Sequence, residues 1–256
     1  MSQLTKWMDR NLYPHLQGNW DDQMFREKIL EYLTPEARVL DLGAGAGIVP
    51  QMNFRGLAKE ICGVDPDPRV MTNPYLDEAQ QGLGDAIPYP DNHFDVIFAD
   101  NVLEHLEFPE QVFREFCRVL KPGGVCLTKT PNRYHYVPTI SRCTPHWFHQ
   151  YVNKLRGRDS EDTFPTFYRA NSAGQTRKLA KGAGLETKEI CMREGRPEYL
   201  RSMAPFYFCG WLYERAVNCV PGLSGFRVIV ISVLQKPKVA EIDVLIPDTR
   251  VKARAA

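Results

Sequence analysis

The amino-acid sequence predicts an α/β fold, a mostly parallel sheet with helices on both faces. Two observations carry this expectation. Short apolar, β-branched runs alternate with amphipathic stretches through the first half of the chain, and the first run empties into a turn of alternating glycines. Strands that alternate with helices must cross over between parallel neighbours, and the crossovers bury both faces of the sheet. With 256 residues, 43% hydrophobic and 25% charged, the chain suits one large domain or two small ones. The same composition excludes disordered, collagen-like and coiled-coil classes.

Taken in order, the predicted strands are 38–42, 60–64, 94–99, 124–129 and a longer run at 226–234. The last is self-contained and suits a strand closing a terminal hairpin. A helix is expected from Asp21 to Leu33, and another beginning near Ile48 after the glycine turn. In 109–120, Val112, Phe113, Phe116, Cys117 and Leu120 recur at three- and four-residue steps, the period of a one-sided helix. Pro109 fits its first turn, and Lys121-Pro-Gly-Gly124 is a stop signal. The segment from Ala170 to Gly184 reads likewise, with Asn171 or Ser172 as N-cap and Gly182 or Gly184 as terminator.

Charge and cysteine usage narrow the setting. Lys plus Arg is 32 against 31 for Asp plus Glu, a net charge of +1, which argues against a dedicated nucleic-acid binder. The seven cysteines (Cys62, Cys117, Cys126, Cys143, Cys191, Cys209 and Cys219) show no C-x-x-C spacing. An odd, scattered set fits reduced thiols in a cytoplasmic protein better than a disulfide framework or a zinc site, and no metal is expected. No signal peptide is visible in 1–20. The apolar stretch 203–213 falls short of the about 20 residues that a membrane span requires.

The informative segment is Val39-Leu-Asp-Leu-Gly-Ala-Gly-Ala-Gly47. Glycine is needed where the backbone bends sharply or a ligand lies against the main chain without Cβ interference. In an open parallel sheet this turn sits at the carboxyl edge, where ligands collect. The dinucleotide pattern G-x-G-x-x-G fails in both registers, because Ile48 and Pro50 stand where glycine is required, and no phosphate loop is present. Asp41, two residues before the first glycine, repels a pyrophosphate and attracts an amino or sulfonium cation. The ligand implied is a nucleoside bearing positive charge. Asp65, ending the second strand, can accept both hydroxyls of a ribose, and Asp85, near the third strand edge, can accept from an adenine amino group.

The chain resembles class I S-adenosylmethionine-dependent methyltransferases of the small-molecule, type 11-like branch. The resemblance is carried by D-L-G-A-G-A-G at 41–47, V-D-P at 64–66, G-D-A-I-P-Y-P-D-N-H-F-D-V-I at 84–97, A-D-N-V-L-E-H-L at 99–106 and L-K-P-G-G at 120–124, in family order. It implies a Rossmann-like seven-stranded sheet of order 3-2-1-4-5-7-6, with the run at 226–234 as the antiparallel strand. By position it implies that Gly43, Ala44, Gly45 and Gly47 cradle the methionyl and ribose portion, with Asp41 near the amino end. Asp65, beside Pro66, would hold the ribose, Asp85 and Ala86 would read the adenine, and Asp100 and Asn101 would line the methionyl pocket. For Asp100 and Asn101, capping of the following segment is an equal alternative. S-adenosylmethionine is the implied cofactor and S-adenosylhomocysteine its product.

Methyl transfer from a sulfonium is an in-line displacement that needs alignment and exclusion of water; a hydroxyl acceptor needs a base as well. Residues 133–169 hold three of the six histidines, eight aromatic residues, and six basic against three acidic side chains, and read as a substrate lid. His135, His146 and His149 are the base candidates, His135 first because it lies closest to the strand end. Packing and hydrogen bonding are the plainer roles for each. The basic residues Arg133, Arg142, Lys154, Arg156, Arg158 and Arg169 either form a solvated rim or attract a phosphate or carboxylate on the acceptor. His105 reads as support for the site rather than part of it.

The expected organisation is one cofactor-binding domain over 1–236, with a helical cap at 1–34, the lid at 133–169 and a tail at 237–256. Within the cap, Tyr13, His15 and Trp20 are candidate contacts to donor or acceptor. The aromatic, arginine-flanked stretch 199–220 reads as a core helix, a pocket wall, a dimer face or a peripheral membrane contact. The expected activity is metal-independent methylation of a small molecule, sugar or lipid-linked glycan at oxygen. The competing class is a protein that binds the cofactor without transfer, cyclase-like or regulatory. Nucleic-acid modification is disfavoured, since Asp100-Asn-Val-Leu103 stands where an N-P-P-[YW] tetrad belongs.

Overall fold

Seven strands form one sheet: β1 (Arg38–Leu42), β2 (Glu60–Asp65), β3 (Glu78–Gln81), β4 (Phe94–Asp100), β5 (Leu120–Pro131), β6 (Glu186–Arg193) and β7 (Ile229–Gln235). Their order is β3-β2-β1-β4-β5-β7-β6. The first five are mutually parallel, and β7 runs antiparallel to both β5 and β6. This computed structural model describes residues 2–16, 18–143, 165–201 and 203–238.

The apolar runs form central strands because both of their faces are buried. Leu40, Leu42, Cys62, Val64, Ile97 and Ala99 point to one layer, with Phe113, Phe116, Leu179 and Ala180. Val39, Ile61, Val96 and Phe98 alternate to the other layer, against Phe25, Ile29 and Phe54. The first layer is covered by α3 (Pro109–Val119) and α5 (Ala173–Gly182), the second in part by α2 (Trp20–Leu30). α1 (Gln3–Leu12) packs on α6 (Ala204–Cys219), where Tyr13 stacks on Tyr207 at 6.2 Å, and α4 (Tyr136–Cys143) follows β5.

Several expectations need correction. No α-helix follows the glycine turn near Ile48; the chain makes one 3-10 turn at Pro50–Met52. Pro50 takes the first position of that turn, and Gly56, at φ +80°, bends the backbone six residues on. β3 and β6 were not visible as apolar runs, because Glu78-Ala-Gln-Gln81 and Glu186–Arg193 are largely polar edge strands. β7 closes no hairpin, since α6 separates it from β6. β5 begins at Leu120, with a register shift opposite Phe94 and Val96, so Lys121-Pro-Gly-Gly124 lies inside the strand. α5 starts at Ala173, Ser172 is its cap, and Gly184 at φ +82° follows its end.

Candidate cofactor and acceptor site

The carboxyl ends of β1, β2 and β4 bring three carboxylates, Asp41, Asp65 and Asp100, to the edge where the glycine turn begins. The turn needs its glycines: Gly43, Gly45 and Gly47 sit at φ +81°, +49° and +71°, where an L side chain is strained. Space excludes side chains as well. A Cβ on Gly43 would stand 2.3 Å from Val102 Cγ2, and one on Gly47 2.2 Å from Asn73 Oδ1.

Asp65 and Asn73 hold this turn in place. The Gly45 N–H donates to Asp65 Oδ2 at 2.9 Å, and the Asp67 N–H donates to Oδ1 at 2.8 Å. The Asn73 amide donates to the carbonyls of Ala44 at 2.9 Å and Gly45 at 3.2 Å, while its oxygen accepts the Tyr75 N–H. Pro66, beside Asp65, is exposed, and its carbonyl accepts from Gln81 Nε2 at 2.7 Å. Asp85 and Ala86 lie exposed in the turn that follows β3, with the Ala86 N–H donating to Leu83 O.

The electrostatics favour a cation. Burial, then the charges of Asp100 and Asp65, hold the Asp41 carboxyl well above the usual carboxylate range. Asp100 is pushed up to about 6 by burial, although Lys129 opposes the rise. Lys129 Nζ lies 3.0 Å from Asp100 and 3.1 Å from Asp21, and pairs closely with Asp22. Lys129 is fully buried, and burial works against its charge; Asp100, Asp21 and Asp22 more than offset it. Asn101, at φ +54°, donates from its amide to Asp100 Oδ1 at 2.9 Å.

In the turn after β4, Glu104 is buried and pushed up to about 7 by that burial. Thr130 Oγ1 donates to its carboxyl at 3.0 Å, and the Asn171 amide donates in turn to Thr130. The carbonyl of Glu104 accepts the N–H groups of Phe167 and Tyr168, and His105 Nδ1 meets Pro165 O at 2.8 Å. Residues 165–168 are therefore anchored to the turn after β4.

His135, the described base candidate, falls elsewhere. His135 is 1% exposed, packed between Tyr136 and Tyr213, with Nε2 3.4 Å from Glu194 Oε2 but off hydrogen-bonding alignment. Burial lowers its ring to about 3 and raises Glu194 to about 8, so both groups of the pair are neutral near pH 7. His146 and His149 lie outside the described residues. In the cap, Tyr13 is buried and donates to Glu214 at 3.3 Å, Trp20 packs over Gly195, and His15 is exposed. The stretch 199–220 is two-sided: Tyr207, Gly210, Glu214 and Val217 of α6 are buried, while Phe206, Phe208 and Leu212 are exposed.

Sequence reasoning missed Asn73, Lys129 with Asp21 and Asp22, and the Glu104–Thr130–Asn171 chain. A signal existed for Lys129, a lone cation in the apolar strand Val125-Cys-Leu-Thr-Lys129. Asp21 and Asp22 read as ordinary first-turn acids of a helix, which concealed their second partner.

The sheet thus ends in a glycine turn beside three carboxylates, Asp41, Asp65 and Asp100. A methyltransferase-domain family model matches residues 15–190, and the chain belongs to the class I S-adenosylmethionine-dependent methyltransferases.

It is similar to a Mycolicibacterium smegmatis protein described as a "probable S-adenosylmethionine-dependent methyltransferase", 35% identical over 112 residues, 42% of each chain. A ubiquinone biosynthesis O-methyltransferase of Pseudomonas putida is 29% identical over 166 residues, 60% of this chain and 66% of that one. The chain thus spans about two fifths of the length of the first of these relatives. Among solved structures, the [4+2]-cyclase SpnF matches with a TM-score of 0.55 at 18% identity over 87% of this chain and 84% of that one. The YcgJ protein of Bacillus subtilis matches at 0.54 and 20% identity, over 84% and 99%. Both show the shared fold. Among the described residues, no helix is long and apolar enough to cross a membrane.

Proposed function

We propose that the chain binds S-adenosylmethionine on the glycine turn and passes its methyl group to the oxygen of a small-molecule acceptor beneath the lid. The observation that carries this reading is the trio of Asp41, Asp65 and Asp100 around a turn that side chains cannot enter. A ligand bearing ammonium and sulfonium charge relieves the repulsion among them, whereas a pyrophosphate adds to it. The backbone of Gly43, Ala44, Gly45 and Gly47 faces the donor, and Asp41 takes the amino end. The free lone pairs of Asp65, beside Pro66, take the ribose hydroxyls. Asp85 and Ala86 meet the adenine, and Asp100 and Asn101 line the methionyl portion.

The cofactor supplies an electrophilic methyl group and a thioether leaving group. The chain orients the donor, keeps water out and accepts the proton of the acceptor hydroxyl. The burial and low basicity of His135 count against it as that base, so the role falls to His146 or His149. The similarity to a ubiquinone biosynthesis O-methyltransferase supports a small-molecule acceptor. One cofactor-binding domain over 1–236, working in the cytoplasm, is the matching organisation.

Calorimetric titration tests the donor assignment. S-adenosylmethionine and S-adenosylhomocysteine are expected to bind, with proton release in the pH range where Asp41 is neutral in the free protein. Binding of a nicotinamide dinucleotide in their place overturns the reading. The cyclase match supports a second reading, cofactor binding without transfer. A product labelled from methyl-labelled donor separates the two.

A further inference from the structure

A groove is lined by residues of α3 and α5 together with Phe167, Tyr168 and Arg169, the segment that the Glu104 carbonyl anchors. Its cavity is about 500 Å³. Among the described residues, four cations line it, Arg114 from α3, Lys178 from α5, Arg133 after β5 and Arg169 before α5, against a single carboxylate, Glu110. Among the described residues, neither Arg114 nor Lys178 has a carboxylate within ion-pairing distance, although Glu110 stands one helical turn from Arg114. The other two are positioned by the backbone. Arg169 Nη1 donates to Glu107 O at 2.6 Å with its guanidinium 5.4 Å from the Phe167 ring centre. The Arg133 N–H donates to Asn171 O at 2.9 Å.

We propose that this groove seats a phosphoryl group, as a phosphomonoester or a diphosphate, carried by the methyl acceptor. Clustered cations repel one another, and Arg114 and Lys178, which have no carboxylate within ion-pairing distance among the described residues, are open to an anion that neutralises them. Guanidinium forks match the oxygens of a phosphate in pairs, and a lysine adds a point charge. The exposed Phe167 and half-buried Tyr168 add an apolar edge on the side toward the turn after β4. Phe167 and Tyr168 of the lining donate their N–H groups to the Glu104 carbonyl, which ties the groove to the turn after β4. The choice of the acceptor as bearer rests on the methyl-transfer reading above; the anion site rests on the groove alone.

The test titrates the whole chain with inorganic phosphate and with pyrophosphate, and repeats both with the double variant Arg114→Gln, Lys178→Gln. Both side chains are exposed, so the fold is retained. Pyrophosphate is expected to bind the parent at least tenfold tighter than the variant, and to weaken steeply with added salt. S-adenosylmethionine affinity is expected to stay within twofold. Absent pyrophosphate binding, or equal binding by parent and variant, overturns the site. Failure of S-adenosylmethionine to bind the parent overturns the donor assignment and leaves the pyrophosphate result to judge the groove. A labelled-methyl assay on a small-molecule extract addresses the bearer. Loss of labelled product after phosphatase treatment of the extract supports the acceptor, and undiminished product overturns it.

Discussion

The N–H of Gly45 points at the carboxylate of Asp65 across 2.9 Å, so the turn after β1 and the end of β2 form one unit. The same carboxylate accepts the Asp67 N–H, leaving lone pairs for a ligand's hydroxyls. Each hydrogen bond to a charged group contributes about 1.5–3 kcal/mol. Asp65→Ala is expected to weaken S-adenosylmethionine at least tenfold and to lower the melting midpoint by several degrees. Titration and a thermal melt on the same sample check both.

Gly47 and Gly56 share a left-handed backbone, at φ +71° and +80°, but differ in surroundings. A Cβ on Gly56 meets nothing within 4 Å, whereas one on Gly47 meets Asn73 Oδ1 at 2.2 Å and Pro74 Cδ at 3.0 Å. Gly56→Ala is expected to cost about 1 kcal/mol from backbone strain alone. Gly47→Ala is expected to cost more and to impair donor binding, because the Asn73 clamp must move. Denaturant unfolding ranks the two, and equal costs would discredit the steric argument.

Lys129 holds three carboxylates at a fully buried position. Lys129→Met leaves them facing one another without a cation, an expected loss of about 3–5 kcal/mol. Adding Asp100→Asn removes one of the stranded charges and is expected to recover part of that loss. A double-mutant cycle measured by urea unfolding supplies the coupling, and strict additivity would refute the cluster as a unit.

Glu104 titrates near 7 instead of 4.5, chiefly through burial. Between those values the folded chain keeps a proton that the unfolded chain has released. Its favourable contribution is therefore present below the lower value and lost as pH rises through the upper one. Glu104→Gln keeps an acceptor for Thr130 and cannot ionise. Its stability relative to the parent is expected to improve from about pH 5 to about pH 8 in paired unfolding curves. An unchanging difference would mean that Glu104 ionises normally.

Much of the fold could be read from the chain because buried parallel strands are continuous apolar runs. Arg38–Leu42, Phe94–Asp100 and the glycines after β1 therefore stood out. The polar edge strands β3 and β6 carry no such pattern, since neighbours on one side only leave half of each strand free to be polar. For the same reason the glycine turn was legible and its clamp was not. Glycine spacing is local, whereas Asn73 reaches Ala44 across 29 positions of sequence. His135 illustrates the opposite failure. Its nearness to a strand end suggested chemistry, yet the fold places it under Tyr213 and against Glu194, partners that no local pattern announces.

Because Lys129 of β5 is tied to Asp21 and Asp22 at the start of α2, the N-terminal helix cannot lift away without exposing three acids and a lysine together. Amide hydrogen exchange should therefore show α2 and the carboxyl end of β5 opening as one cooperative unit, slower than the single contacts of either would suggest. A donor seated beside Asp100 slows that shared opening further, which turns protection of the α2 amides into a remote gauge of occupancy at the sheet edge.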